Sequence, residues 1–444
     1  MMSRLAQLFT LSATLCGLAA AAHANPLDAF GFGARGIALG GAMTALANDY
    51  SANYYNPAGL ASDDKLRLEF GYIYVDPGLR INGGDQNVDR SYGVQGGLVM
   101  PGRIFGRNVA FSVALFLPAE RISRIRALPQ QQPRWVLYDN NPQRLVITTS
   151  VGFEVVPNLM LGVGLSYLSD TRGTLDMSGL VSIQDSEQTS LFSAVDVDLS
   201  AVRYPSAGLL WTPGEHARIG IGFRDRFSLD LDLGVNVAGD VAPLFPGEPP
   251  LVSDAAFNLL TTNTNLFSPR QLSAGFAWDG GRWLAVVDLT WAQWSQFDPP
   301  VSTIDIDLQL DPLDFVIPPG ETIIDPDFHD ILITRIGGEF DVVDSRHFGL
   351  TARAGYFWEP SPVPDQPGRT NYIDNDKHGG SLGLGFRFSE FSDVFTAPLL
   401  FDVAGQYIGI PERTYLKANP ADAVGDYQAA GSFLGFSTSL SILF

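Results

Sequence analysis

The chain has 444 residues, of which 45% are hydrophobic and 11% aromatic, and its formal net charge is −20. That acidity speaks against nucleic acid as a partner and against a basic membrane-surface helix, while the apolar content speaks against disorder. A single cysteine, Cys16, leaves no disulfide framework and no Cys-based metal centre to consider.

The chain opens with the features of an export signal. Arg4 supplies a positive n-region, Leu5 to Ala21 is an almost uncharged apolar run, and Ala22-His23-Ala24 is a small-residue cleavage site. Residues 1–24 are therefore expected to be removed, and Cys16 with them. The run is short for a helical span, and Ala13-Thr14-Leu15 is a poor lipoprotein box. No later segment has about 18 consecutive apolar residues, so helical membrane spans are excluded. A large soluble β protein or a transmembrane barrel remains.

Residues 25–63 do not alternate as barrel strands do. Phe30 to Gly36 leads into an Ala/Gly-rich stretch ending at Ala47, within which Ile37 to Ala47 is expected to form a short helix weakened by Gly40 and Gly41. Gly31-x-Gly33-x-x-Gly36 fits the dinucleotide fingerprint as a string, but no strand precedes it and no βαβ unit surrounds it. About forty small-residue positions ahead of the first strand suit a plug folded back into a lumen that fourteen strands leave open.

From residue 64 onward the dominant period is two. Leu145, Ile147, Thr149, Val151, Phe153 and Val155 fall on one face, against Val146, Thr148, Ser150, Gly152 and Glu154 on the other. Fourteen such segments are expected, at about 65–80, 88–101, 107–118, 143–156, 158–183, 190–213, 216–238, 268–279, 281–310, 328–341, 346–359, 377–389, 398–412 and 430–444. Most reach the roughly 9–11 residues that a tilted membrane strand requires. Tight connections, such as Pro101-Gly102, Pro157-Asn158, Pro213-Gly214 and Gly280-Gly281, alternate with longer ones at 119–142, 239–267, 311–327, 360–376 and 413–429. An even strand number, short periplasmic turns and long external loops make an all-β, antiparallel transmembrane barrel of residues 64–444, with both termini in the periplasm. Tyr167, Trp211, Trp291 and Tyr407 near strand ends suit interfacial girdles. The last strand alternates Phe436, Thr438, Leu440, Ile442 and Phe444, and a terminal Phe resembles the signal read by the barrel-assembly machinery.

Arg35-Gly-x-x-x-Gly40-Gly41-Ala42, followed by Asn48-Asp49-x-Ser51-Ala52-x-Tyr54-Tyr55-Asn56-Pro57-Ala58-Gly59-Leu60, resembles the start of the FadL/TodX-type outer-membrane long-chain fatty acid transporters. Trp291-Ala-Gln-Trp294-Ser295-Gln-Phe297, Arg353-Ala354-Gly355-Tyr356 with Pro362-Val363-Pro364-Asp365, and Asp374-Asn375-Asp376-Lys377-His378 before Ser381-Leu-Gly383-Leu-Gly385 resemble the same family, in the same order. The resemblance implies a monomer of fourteen strands with an N-terminal hatch, whose Asn-Pro-Ala corresponds to Asn56, Pro57 and Ala58. It also implies capture of a hydrophobic molecule at the extracellular loops, a hatch rearrangement, and sideways release through a gap at a kink in the third strand. Here that strand, Asn108 to Pro118, contains no glycine at which to kink.

An apolar cargo needs an apolar surface, gaining roughly 0.8 kcal/mol for each methylene buried. Leu128, Trp135, Leu137 and Tyr138 in one long loop, and Phe245, Phe257 and Leu260 in another, are candidate substrate contacts, with loop-on-loop packing as the alternative. Arg121, Arg124, Arg126 and Arg134 suit either a carboxylate headgroup or lipopolysaccharide phosphates. Beyond the signal only His216, His329, His347 and His378 remain, all near expected strand ends, and no Ser/His/acid grouping emerges from spacing. Asp305, Asp307 and Asp311 alternate on one face, where a solvated surface explains them better than Ca²⁺. No cofactor and no metal site is expected. The cargo reads as long-chain fatty acids or monoaromatic hydrocarbons, and a nonspecific porin is the remaining alternative.

Overall fold

A strand can lie in lipid only when every backbone polar group finds a partner in a neighbouring strand, which forces the sheet to close. The computed structural model describes residues 27, 30–119, 132–138, 144–181, 190–241, 252–297, 303–309, 324–390 and 397–444, and its strands satisfy that demand. Fourteen wall strands follow in chain order. They are β1 (Arg67–Ile81), β2 (Ser91–Ile104), β3 (Arg107–Pro118), β4 (Val146–Val156), β5 (Leu159–Val181), β6 (Ser190–Trp211) and β7 (Ala217–Arg224), then β8 (Arg270–Asp279), β9 (Trp283–Gln293), β10 (Ile331–Asp344), β11 (Phe348–Glu359), β12 (Lys377–Phe388), β13 (Leu399–Tyr415) and β14 (Tyr427–Leu443). Each pairs antiparallel with the next, and β1 closes on β14 from Arg67 opposite Leu443 to Ile81 opposite Ala429.

The expected alternation decides which face meets lipid. Ile147, Val151, Phe153 and Val155 of β4 are exposed on the outside, while Thr148 and Ser150 are buried inside. Phe70, Leu115, Ile221, Phe276, Leu332, Leu382 and Phe436 continue the outer belt, and Trp211, Trp278, Trp283 and Tyr407 stand exposed near its edges.

Three sequence expectations are corrected. The turn between β2 and β3 lies at Phe105-Gly106, not Pro101-Gly102: both residues take positive φ (51° and 76°), as a two-residue hairpin turn requires, and Pro101 stays in the ladder opposite Ala110. The loop expected at 239–267 is largely a ribbon, in which Phe227–Val241 pairs with Val252–Ser268 beyond the wall strands. The strand expected over 281–310 ends at Gln293, passes a turn of 3₁₀-helix at Trp294–Gln296, and resumes as Thr303–Gln309 beside that ribbon.

The N-terminal segment fills the lumen as a hatch. Its helix α1 (Ala34–Ala38) begins and ends earlier than expected, because Gly40 and Gly41 adopt positive φ (64° and 81°) and turn the chain. A second short helix, α2 (Ala52–Tyr55), leads to a 3₁₀-helix at Pro57–Ser62. Hatch backbone rests directly on wall glycines. A Cβ on Gly208 would collide with Asn56 Oδ1, one on Gly162 with the Pro57–Ala58 peptide, and one on Gly355 with the Leu39–Gly40 peptide.

Gly208→Val is therefore expected to unseat the hatch while leaving the wall pairing intact. The check is planar-bilayer recording: large-conductance openings absent from the parent protein, with heat-modifiable electrophoretic mobility retained.

Candidate functional site

Asn56 shows why an Asn-Pro-Ala sequence suits the hatch. Asn56 caps the 3₁₀-helix, accepting from Ala58 N through Oδ1 at 3.1 Å, and Pro57 takes the first helical position, where no N–H is needed. Its Nδ2 donates to Thr44 O within the hatch at 2.7 Å and to Leu209 O on β6 at 3.0 Å. One fully buried side chain thus satisfies the turn, the hatch and the wall.

Other ties run round the barrel. Gly33 N donates to Gln95 Oε1 on β2, Asn53 Nδ2 to Ser112 Oγ on β3, and Thr44 N to Asp288 Oδ2 on β9. Arg35 forms a two-pronged ion pair with Glu339 on β10, at 2.7 and 2.9 Å. Burial opposes the charge on Arg35, but Glu339 holds its pKa above the ordinary arginine value. Arg353 bridges Glu339 to Asp402, extending the ionic chain from β11 to β13.

The hatch separates two unlike spaces. On the periplasmic side a cavity of about 390 Å³ is lined by Arg35, Arg67, Glu69, Glu339, Arg353 and Asp402, among other charged residues. On the extracellular side a small cavity of about 10 Å³ is lined by Leu27, Phe30, Ile73, Val75, Ser91 and Phe116. A third, of about 60 Å³, shares Leu27 and Phe30 with it and runs past Tyr54, Arg224, Gln271 and Phe357. Leu27 and Phe30 thus form the partition between the two upper cavities. Phe30 meets the edge of Phe433 with ring centroids 5.3 Å apart, and Phe32 meets Tyr50 at 4.9 Å.

Above this chamber the mouth is packed with side chains from the loops. Of the candidate contacts, the structure brings together Arg134, Trp135, Leu137 and Tyr138, all buried. Arg134–Trp135 pairs with Tyr372–Ile373, Arg134 lies 5.3 Å over the Tyr372 ring, and Tyr138 packs on Phe433 at 4.9 Å. Leu128, Phe245, Arg121, Arg124 and Arg126 lie outside the described residues, as does Asp311; Phe257 and Leu260 lie on the outer ribbon, where only the backbone pairing is described, and Asp305 and Asp307 on the strand beside it.

Two of the segments that carried the family resemblance, Trp291–Phe297 and Asp374–His378, lie at the mouth, whereas Arg353, Gly355, Ser381 and Gly383 line the lumen beside the hatch. Phe297 stacks on Phe328 at 4.1 Å, with Trp294, Phe267 and Tyr372 around them. Asn375 Nδ2 donates to Pro411 O and Ala429 O, both at 2.8 Å, and the Tyr415 hydroxyl donates to Asp374 O at 2.8 Å. Lys377 pairs with Asp374 and Glu359. Burial lifts Asp374 to about 6 in spite of Lys377 beside it.

A protein-family model described as outer membrane protein transport protein (OMPP1/FadL/TodX) matches residues 138–426. The chain belongs to this family. It is an outer-membrane β-barrel transporter of hydrophobic compounds, of a family of transport channels. Solved structures agree in fold. A Pseudomonas aeruginosa FadL homologue matches with TM-score 0.57 and 19% identity, over 93% of this chain and 98% of its own. The CymD monoaromatic hydrocarbon channel matches with TM-score 0.53 and 16% identity, over 93% and 97%. The toluene transporter TodX of P. putida matches with TM-score 0.52 and 14% identity, over 94% and 99%. No curated protein sequence matches the chain.

Sequence reading missed Leu27, Phe30, Ile73, Val75, Phe116 and Phe433, which no loop list would contain. A usable signal was present in β1, whose inward positions run Glu69, Gly71, Ile73, Val75, Leu79 and so change from polar to apolar toward the mouth.

Asn375→Ala strands two buried carbonyls, each at a cost of about 1–3 kcal/mol. The expected outcome is faster amide exchange and protease cleavage within 360–376, with barrel mobility on unheated gels unchanged.

Proposed function

We propose that this chain carries long-chain fatty acids inward across the outer membrane, taking them at the loop-lined mouth and releasing them after the hatch gives way. The supporting observation is a difference in lining: a small cavity above the hatch is bounded by Leu27, Phe30, Ile73, Val75 and Phe116 with Ser91, the cavity of about 60 Å³ beside it is mixed, with Tyr54 and Phe357 alongside Arg224, Arg335 and Glu359, and the space below is lined by charges. An acyl chain gains by packing on Leu27 and Phe30 at the foot of the mouth, since burying apolar surface equal to one such side chain is worth about 1.5–3 kcal/mol. It gains nothing from the charged space beneath. Arg134 and Arg144, both almost fully buried at the mouth, favour an anionic headgroup over a neutral one. Asn56, Pro57 and Ala58 act in this reading as the joint on which the hatch turns.

The aromatic lining of the mouth, with Phe297, Phe328, Trp294 and Tyr372 in one cluster, supports a second reading in which the cargo is a monoaromatic hydrocarbon. An open nonspecific porin is disfavoured, because the lumen is occupied from Phe30 to Ser62 by buried hatch residues tied to the wall.

The deciding experiment is uptake of labelled oleate, with labelled toluene in parallel, by an uptake-deficient host expressing the barrel. Saturable oleate uptake is expected, and Phe30→Ser is expected to raise its half-saturating concentration roughly 10- to 100-fold. Toluene uptake alone would transfer the cargo to hydrocarbons. Deleting residues 25–60 is expected to abolish selective uptake or to leave a leaky channel; unaltered uptake by an intact barrel would remove the hatch from the mechanism.

A further inference from the structure

A two-residue hairpin turn holds both its residues at positive φ, so Asn-Gly is its favoured sequence. One turn of this barrel obeys that preference. Asn82-Gly83, between the paired Ile81 and Gly84, takes φ of 49° and 77°. The periplasmic turn between β2 and β3 has the same geometry, 51° and 76°, but is built from Phe105-Gly106. An aromatic residue in the left-handed region suffers the clash of its Cβ with the following carbonyl oxygen. Phe105 is also 102% exposed, and Ile104 beside it 55%. Nothing in the turn or in the packing of the chain calls for either side chain.

The same hairpin outruns its neighbours in the wall. β1 meets β2 only as far as Arg67 opposite Val99, and β4 meets β3 only as far as Phe153 opposite Val109. Below those points Arg103 faces Asn108 and Ile104 faces Arg107. Charge sets this overhang apart as well. Elsewhere on the periplasmic rim arginines are neutralised in place, Arg67 by Asp63, Arg346 by Glu390 and Arg387 by Asp344. Arg103 and Arg107 form no ion pair among the described residues, and positions 99–109 hold no acidic residue.

We propose that this tip is a lipid hook: Ile104 and Phe105 enter the periplasmic leaflet at the boundary of acyl chains and headgroups, and Arg107 and Arg103 bind lipid phosphate. Position selects lipid over a periplasmic protein. The outward residues of β3 run Leu117, Leu115, Val113, Phe111, Val109 and then Arg107. At about 3.3 Å per residue and a tilt of about 40° that span covers roughly 25 Å, the height of the apolar band. Arg107 therefore stands at headgroup level, with Ile104 opposite it continuing the belt. Aromatic rings favour that layer, and an arginine stem lies along apolar surface while its head reaches phosphate. The hook fixes the depth of this part of the wall, whichever molecule the barrel carries.

Two independent measurements test it, with folding checked by heat-modifiable mobility. Phe105→Cys is labelled with the fluorophore NBD, Cys16 being removed with the signal, and the barrel is placed in phospholipid nanodiscs. Lipids brominated near the headgroup are expected to quench the label, and dithionite to reduce it at least about tenfold more slowly than the same label at Asn82→Cys. In the second, Arg103→Gln/Arg107→Gln is expected to lower the phosphatidylglycerol retained by the solubilised barrel roughly 10- to 30-fold, since each arginine counts for about fivefold at an anionic surface. Arg103→Lys/Arg107→Lys is expected to restore most of it. Reduction as fast as at the Asn82 turn, or unchanged lipid retention, overturns the hook. Protection that appears only on adding periplasmic extract also overturns it and gives the tip to a protein partner.

Discussion

Backbone hydrogen bonding in a medium without water is the constraint from which the rest of this structure follows. The fourteen strands can lie in lipid because β1 finds β14 along its whole length, leaving no edge. Closure at that strand number produces a lumen too wide for wall side chains to fill. The lumen therefore needs a separate occupant, and the hatch supplies it. The occupant faces the same demand one level in, since its own peptide groups are buried against the wall. Gln95 and Asp288 accept from the Gly33 and Thr44 N–H groups, Asn56 Nδ2 donates to Thr44 O, and wall glycines such as Gly162 and Gly208 allow the hatch to approach the wall backbone.

The hatch also divides the lumen by polarity. Its periplasmic face carries Arg35, tied to Glu339 and through Arg353 to Asp402. Its extracellular face carries Leu27, Phe30 and Phe32. The larger cavity above the hatch is mixed, with Arg224, Arg335 and Glu359 beside Tyr54 and Phe357. Registered length differs along the wall: among the described residues β6 and β7 are paired over six positions, against eight for β7 with β8 and for β3 with β4.

Much of the fold was readable in the chain because lipid imposes a strict two-residue period. Ile147, Val151 and Phe153 against Thr148 and Ser150 already separate in the sequence into the two faces that become the outside and inside of β4. Turns were less readable: Pro101-Gly102 carries a turn signature, yet the positive φ values fall at Phe105-Gly106, since local composition does not fix where two strands exchange partners. The outer ribbon at 252–268 escaped notice because pairing outside the membrane lacks the clean apolar alternation that lipid enforces. Of the candidate site residues, Trp135, Leu137 and Tyr138 were found as apolar residues in a long loop, but nothing in the loop indicated that they would pack down onto Phe433 and Tyr372.

By itself the sequence determined the barrel, its strand number, the two faces of strands such as β4 and the presence of an N-terminal segment unsuited to the wall. These follow from period, length and composition, which are local properties of the chain. Only the tertiary structure decided which inward positions gather around Leu27 and Phe30 and which charges meet beneath the hatch. Those relations join residues hundreds of positions apart, as Arg35 with Glu339. They are set by register and by the path of the hatch through the lumen, and neither leaves a periodic trace in the chain.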